Sequence, residues 1–131
     1  MPEQMLAGLK VLVVEDEYYL ADDAVSALQE VGADVLAPVG TVAQACAKID
    51  AEEAVDVVLL DVNLQGEKAY EVADLLRSRD LPFAFVTGYD PAALPDRFAD
   101  AVTAQKPVSP EQLSEIVAGL ARRERTPARA A

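Results

Sequence analysis

Val57-Val58-Leu59-Leu60-Asp61 decides how this chain folds. Four consecutive apolar residues, two of them β-branched, read as a strand buried on both faces, the kind found inside a parallel sheet. The acid that ends the run is the informative residue, because three other segments close in the same way. Val11-Leu12-Val13-Val14 runs into Glu15-Asp16, Phe83-Ala84-Phe85-Val86 into Thr87-Gly88, and Ala101-Val102-Thr103-Ala104-Gln105 into Lys106-Pro107. Each polar group ends a short strand that precedes a helical pattern. In an open parallel α/β sheet, ligands bind beyond the carboxyl ends of the strands, where strand order reverses. The acids, the hydroxyl and the amine are therefore expected in one crevice.

Helix-period stripes fill the intervals between strands. Leu20, Ala24, Ala27, Leu28 and Val31 share one face, and Gly32 is a natural stop. A second strand is expected near Ala33–Ala37. Thr41 and Gln44 then form a capping box ahead of the stripe Val42, Ala45, Cys46 and Ile49. A loop after Asp61 ends near Gly66, and Ala69, Val72, Ala73 and Leu76 supply the next helical face. Glu67, Glu71, Asp74, Arg77 and Arg79 read as its solvated side. The last helix has Ser109 as cap, Pro110 in its first turn and Gln112 completing a capping box. Leu113, Ile116, Val117, Leu120 and Ala121 form its apolar face.

A fourth helix is due between Gly88 and Asp100, but the chain there reads Asp90-Pro91-Ala92-Ala93-Leu94-Pro95. Pro95 would remove a backbone bond and clash with the carbonyl of Pro91, at a cost of ~3 kcal/mol in a helix interior. A short or broken fourth helix is expected, held down by Leu94 and Phe98. The β-α alternation, repeated five times, predicts an α/β doubly wound five-stranded parallel sheet of order 2-1-3-4-5, a flavodoxin-like topology with its switch point between strands one and three. The expected organisation is an N-terminal extension over 1–7, one domain over 8–123 and a flexible tail over 124–131. Arg122, Arg123 and Arg125 favour the end of the last helix.

Composition narrows the function. The chain has 131 residues, 52% of them hydrophobic, which suits one domain with one core. A net charge of −12 argues against nucleic-acid binding, which rests on neutralising phosphates. No apolar stretch approaches the ~20 residues of a membrane helix. Met1-Pro2-Glu3-Gln4 lacks the basic start of a secretion signal, so a cytoplasmic protein is expected. One cysteine, Cys46, precludes an internal disulfide, and its place on an apolar stripe marks it as core filling. The absence of histidine removes histidine-based triads, histidine metal sites and a phosphohistidine carrier.

Glu15, Asp16 and Asp61 make a hard oxygen site suited to Mg²⁺ or Mn²⁺. Lys106 adds a positive charge and Thr87 a hydroxyl donor for phosphoryl oxygens. These are the parts of phosphoryl transfer, with Asp61 as a nucleophile able to form an aspartyl-phosphate. A haloacid-dehalogenase-like phosphatase would need a second acid where Asn63 stands. A flavin carrier would need a phosphate loop where Glu15-Asp16-Glu17 repels one.

The acidic pair Glu15-Asp16, the acceptor Asp61, Thr87-Gly88 and Lys106-Pro107, in order over residues 8–123, resemble the receiver domain of two-component signalling, the response-regulator fold. The resemblance implies a phosphorelay in which Asp61 takes a phosphoryl group from a phosphohistidine of a sensor histidine kinase. It implies that Asp16 and Asp61 ligate Mg²⁺ directly, that Glu15 acts largely through water and that the backbone carbonyl of Asn63 completes the site. Thr87 and Lys106 would contact the phosphoryl oxygens. It also agrees with a cis Lys106–Pro107 bond, which a tight turn aiming the amine into the pocket favours. Phe85-Val86-Thr87-Gly88-Tyr89 is further similar to atypical stand-alone receivers with a Phe-Ala-Thr-Gly-Tyr strand end, which pair with HWE-type histidine kinases; Val86 replaces the alanine of that pattern. Ordinary receivers carry an aromatic residue where this chain has Thr103. Tyr89, Thr103 and Pro107 are the candidate switch residues, and Tyr89 either assumes part of the aromatic role or merely packs. Tyr18 and Tyr19 either shape the pocket mouth or a partner surface, or simply face solvent. The expected function is a stand-alone regulator, not a turnover enzyme, that binds an unknown downstream protein or drains phosphate. The alternative is a pseudo-receiver, a docking module that is never phosphorylated.

Overall fold

In the computed structural model, which describes residues 5–51, 54–88 and 90–125, the chain runs β1 (Lys10–Val14), α1 (Tyr18–Glu30), β2 (Asp34–Val35), α2 (Val42–Asp50), β3 (Val57–Asp61), β4 (Asn63–Leu64), β5 (Glu67–Lys68), α3 (Tyr70–Ser78), β6 (Phe83–Thr87), β7 (Val102–Gln105) and α4 (Pro110–Arg125). Five parallel strands form the sheet in the order β2-β1-β3-β6-β7. Counting only these strands, that is the expected 2-1-3-4-5.

The continuous apolar runs follow from the two covered faces. Side chains alternate along a strand, so a central strand needs apolar residues at every position. Val11, Val13, Val57, Leu59 and Ala84 join the core with Leu28 of α1 and Leu113 and Val117 of α4. Leu12, Val14, Val58, Leu60 and Phe85 face the opposite way, toward Val42, Ala45 and Ile49 of α2 and Val72, Ala73 and Leu76 of α3. Both caps form: Thr41 Oγ1 accepts the Gln44 N–H at 3.0 Å, with Gln44 Oε1 reaching back one residue further to the Gly40 N–H, and Ser109 Oγ accepts the Gln112 N–H at 3.1 Å, with Gln112 Oε1 returning to the Ser109 N–H.

Several expectations are corrected. Leu20 does not share the buried face of α1; it is exposed and lines a groove of about 600 Å³ between α1 and the start of α4. At ~100° per residue it stands to one side of the buried Ala21–Leu28 line, on the flank that carries the half-buried Ala27. The second strand pairs only at Asp34–Val35, with a separate bridge between Val14 and Val39. The stretch expected as an extension over 1–7 contributes to the core: Leu6 is fully buried, and its N–H donates to the Val31 carbonyl at 2.8 Å. Helix α4 continues through Arg125, past the expected boundary at 123. Residues 1–4 and 126–131 lie outside the described residues, as do the side chains of Arg123 and Arg125.

The loop expected after Asp61 is instead a hairpin, with Asn63 opposite Lys68 and Leu64 opposite Glu67. Glu67 therefore belongs to β5 and not to a helix. Gln65 and Gly66 have φ of 52° and 86°. Two successive positive φ values define the tight turn whose twist matches a two-residue hairpin.

The fourth helix is broken as Pro95 requires. Two 3-10 turns, Pro91–Ala93 and Asp96–Phe98, flank an extended Pro95, so four α-helices stand among the described residues where five were expected. The second turn inserts Phe98, fully buried, against Tyr70 and Phe85 at ring separations of 5.7 and 5.3 Å. Leu94 is half-buried against the same core. Asp74 and Arg77 of the expected solvated face hold this segment. Arg97 makes two bonds to Asp74, at 3.1 and 3.0 Å, and Arg77 reaches Asp100 at 3.1 Å. Arg79 ties instead to Asp50 at the end of α2. These exposed pairs are worth ~0–1 kcal/mol each, so Phe98 is the stronger anchor.

Candidate functional site

The strand ends converge as the sheet order demands. Asp61 is the last residue of β3, flanked by β1 and β6, where it pairs with Val86. Glu15 follows Val14 of β1 and donates its N–H to the Val39 carbonyl at 2.9 Å. Thr87 ends β6, and its carbonyl accepts the Lys106 N–H at 2.8 Å, which stitches the lysine backbone to the strand end. The Lys106–Pro107 bond is cis. Lys106 Nζ lies 2.9 Å from both Glu15 Oε1 and Asp61 Oδ2.

Glu15, Asp16 and Asp61 each offer a carboxylate oxygen within 4.8 Å of the others. Glu15, Asp61 and Thr87 are buried, at 9%, 7% and 1% exposure, whereas Asp16 is open to solvent. Three carboxylates with no nitrogen or sulfur donor form a donor set that fits Mg²⁺ or Mn²⁺. Asp16 does not cap α1: Glu17 stands at the N-cap and makes no side-chain cap bond. Instead Asp16 Oδ2 accepts the Gln65 N–H at 2.9 Å. Gly40 packs behind it, where a Cβ would come within 3.3 Å of the Asp16 Cα, a tight approach that would press on the Asp16 backbone. Asn63 adjoins the site, donating its N–H to Asp61 Oδ1 at 3.1 Å.

Burial drives the Glu15 carboxyl up from 4.5 to about 7; its bonds to Lys106 and the Glu17 N–H oppose the shift, and the neighbouring Asp61 adds to it. Burial works against the charge on Lys106, but the Glu15 and Asp61 carboxylates outweigh it and hold the ammonium above its ordinary value. Lys106 therefore stays charged at neutral pH.

The remaining candidates lie outside this cluster or outside the described residues. Thr103 is half-buried in β7 opposite Phe85. Tyr89 lies outside the described residues. Tyr18 and Tyr19 are exposed and pack edge to face at 5.4 Å. Cys46 is half-buried and packs against the core, with burial pushing its thiol up, away from thiolate chemistry. The hairpin contact to Asp16 escaped the sequence reading; Gly66 at the second position of a two-residue turn was its local signal.

Asp16→Asn should weaken Mg²⁺ binding by about tenfold or more, and Glu67→Gln by less than about twofold, because only the first sits among the clustered oxygens. Calorimetric titration of both variants measures this. Equal effects would remove Asp16 from the metal's ligands.

Fold and site together define a doubly wound parallel α/β protein with an acidic strand-end centre backed by a lysine. The family model of the response regulator receiver domain matches residues 11–118, and the chain belongs to that family. Among solved structures it is similar to SdrG from Sphingomonas melonis Fr1, with 36% identity, 88% of this chain and 97% of that chain covered, and a TM-score of 0.67. The BeF3-activated conformation of SdrG from Pseudomonas melonis Fr1 matches at 33% identity, covering 92% of this chain and 99% of that one, with a TM-score of 0.74. The receiver domain of PhyR from Erythrobacter litoralis shares the fold at 23% identity, with 92% and 95% covered and a TM-score of 0.81. No curated protein gives a significant sequence match. No helix among the described residues is long and apolar enough to cross a membrane.

Proposed function

We propose that this receiver takes a phosphoryl group on Asp61 from a phosphohistidine of a sensor histidine kinase, of the HWE type on the strand-end motif. The observation that carries the reading is the buried Asp61 carboxylate, 2.9 Å from Lys106 and within 4.8 Å of the Glu15 and Asp16 oxygens. An Asp61 oxygen attacks phosphorus, the P–N bond breaks, and its electron pair returns to the donor imidazole, which takes up a proton. Asp16, Asp61 and the Asn63 carbonyl would hold Mg²⁺, or Mn²⁺, with Glu15 acting through water; the bound ion neutralises charge on the phosphoryl oxygens. Lys106 exchanges its Asp61 contact for a phosphoryl oxygen, and the Thr87 hydroxyl donates to another. A relative 33% identical to this chain has a BeF3-activated conformation, a group of phosphoryl-like charge and shape, which supports the same chemistry here. The phosphorylated protein signals in the cytoplasm by binding another protein, or drains phosphate from the kinase, without enzymatic turnover.

Intact mass spectrometry after incubation with Mg²⁺ and acetyl phosphate tests the reading. One added phosphoryl group per chain is expected. No gain in mass, with Mn²⁺ as well as Mg²⁺ and with a cognate phosphorylated kinase, would leave the docking module that is never phosphorylated.

A second expectation concerns pH. The folded state holds the Glu15 proton more tightly than the unfolded chain, since its carboxyl is raised from 4.5 to about 7. Between those values the folded state binds more protons, so stability falls as pH rises through that window. In metal-free buffer the wild type should lose Tm from pH 5 to pH 8 more steeply than Glu15→Gln. Parallel Tm profiles would contradict the assignment of that dependence to Glu15.

A further inference from the structure

We propose that the β4–β5 hairpin positions the metal-binding carboxylates, with the backbone N–H of Gln65 setting the place of Asp16; this rests on the metal site of the proposed function. Asp16 is exposed and follows a strand end, where its side chain would otherwise sample several rotamers in water. Its Oδ2 instead accepts the Gln65 N–H at 2.9 Å. In a two-residue hairpin the first turn residue takes no part in the ladder. Here the paired residues are Asn63 with Lys68 and Leu64 with Glu67, which leaves the Gln65 N–H available to an outside acceptor.

The hairpin is a fixed support for that donor. Leu64 is buried in the core, and at its base the Ala69 N–H donates to the Val62 carbonyl at 2.7 Å. Two residues before Gln65, Asn63 gives its N–H to Asp61 Oδ1 at 3.1 Å. One short strand and its turn thus present two donors to two separate acids of the site, one just beyond β1 and one at the end of β3. Each donor takes one oxygen of its carboxylate. Asp61 keeps Oδ2 toward Lys106, and Asp16 keeps Oδ1. Three acids within 4.8 Å repel one another, and two oriented N–H dipoles offset part of that repulsion while holding the carboxylates at the separation a small cation needs. Ligand orientation by such outer partners is worth about 10–100-fold in metal affinity.

The turn gives a clean handle on this role. Gly66 has φ of 86°, which a β-branched residue resists, yet nothing lies within 4 Å of an added Cβ. Gly66→Val therefore acts chiefly on the backbone conformation, with open space around its Cβ. Gln65, at φ 52°, sits where asparagine is preferred, so Gln65→Asn makes the favoured Asn-Gly turn.

Calorimetric Mg²⁺ titration of the full chain, with hydrogen exchange of residues 63–68 measured in parallel, tests the role. Gly66→Val should speed exchange in the hairpin and raise the Mg²⁺ Kd about tenfold. Gln65→Asn should slow exchange and lower the Kd about twofold or more. A looser hairpin in Gly66→Val with a wild-type Kd would overturn the positioning role alone. If Gly66→Val does not fold, Gln65→Asn decides: slower exchange with an unchanged Kd overturns the role, and a lower Kd supports it. A wild type that binds no Mg²⁺ would overturn the metal reading itself, and this inference with it.

Discussion

Asp61→Asn should reduce phosphoryl labelling from one group per chain to none, with the fold intact. Asparagine nearly copies the shape of the aspartate, and its carbonyl oxygen can still accept the Asn63 N–H that Asp61 Oδ1 accepts at 3.1 Å. What it lacks is the anionic oxygen that meets Lys106 at 2.9 Å and serves as nucleophile. Glu15 and Asp16 stay in the cluster as carboxylates, so the labelling of this variant reads directly on whether Asp61 is the acceptor. Loss of labelling through unfolding has a different signature. The substitution removes one carboxylate from a crowded acidic cluster and, with it, one of the two Lys106 contacts; these effects oppose, so Tm in metal-free buffer should stay close to that of the wild type. Intact mass and thermal melting on the same sample separate the two causes. Full labelling of a folded Asp61→Asn protein would move the acceptor to another residue.

Phe98→Ala should cost about 3–5 kcal/mol, the usual range for removing a fully buried aromatic ring. Phe98 packs against Tyr70 and Phe85, and the Arg77 and Arg97 guanidiniums lie 4.9 and 4.6 Å from its ring centroid. The segment between β6 and β7 has two 3-10 turns in place of a helix, so little internal hydrogen bonding holds it once the ring is gone. In the wild type, amides of Gly88–Asp100 should exchange faster than those of Pro110–Leu120 and should change on phosphorylation, because Thr87 joins the segment to the pocket. Phe98→Ala should raise exchange there first. Denaturant melts showing a loss below about 1 kcal/mol would mean that the segment is held by its ion pairs and not by this ring.

The parts of the receiver legible in the sequence are those written in short-range patterns. Continuous apolar runs in β1, β3 and β6 announced strands covered on both faces, and the polar residue ending each run announced the crevice. Thr41 with Gln44, and Ser109 with Gln112, marked helix starts, since a capping box is complete within four residues. Pro95 marked the break in the fourth helix through a clash confined to one turn. Each of these signals acts between residues close in the chain, so a window of sequence contains the whole cause.

Long-range contacts were not legible in this way. Leu20 has the period of a buried residue, yet it lies exposed because the face that α1 buries is centred on Ala21 and Leu28, to one side of it. Leu6 has no neighbours of matching period, yet it joins the core that includes Leu28 and Val57, and its N–H donates to the Val31 carbonyl. The elevated Glu15 carboxyl follows from burial against segments far along the chain. Likewise, the hold of Gln65 on Asp16 joins positions 49 residues apart. Pattern reports which face a residue prefers. Distance, burial and the direction of a single N–H arise only when separate segments pack together, and on these depend the spacing of the three acids and the elevation of the Glu15 carboxyl.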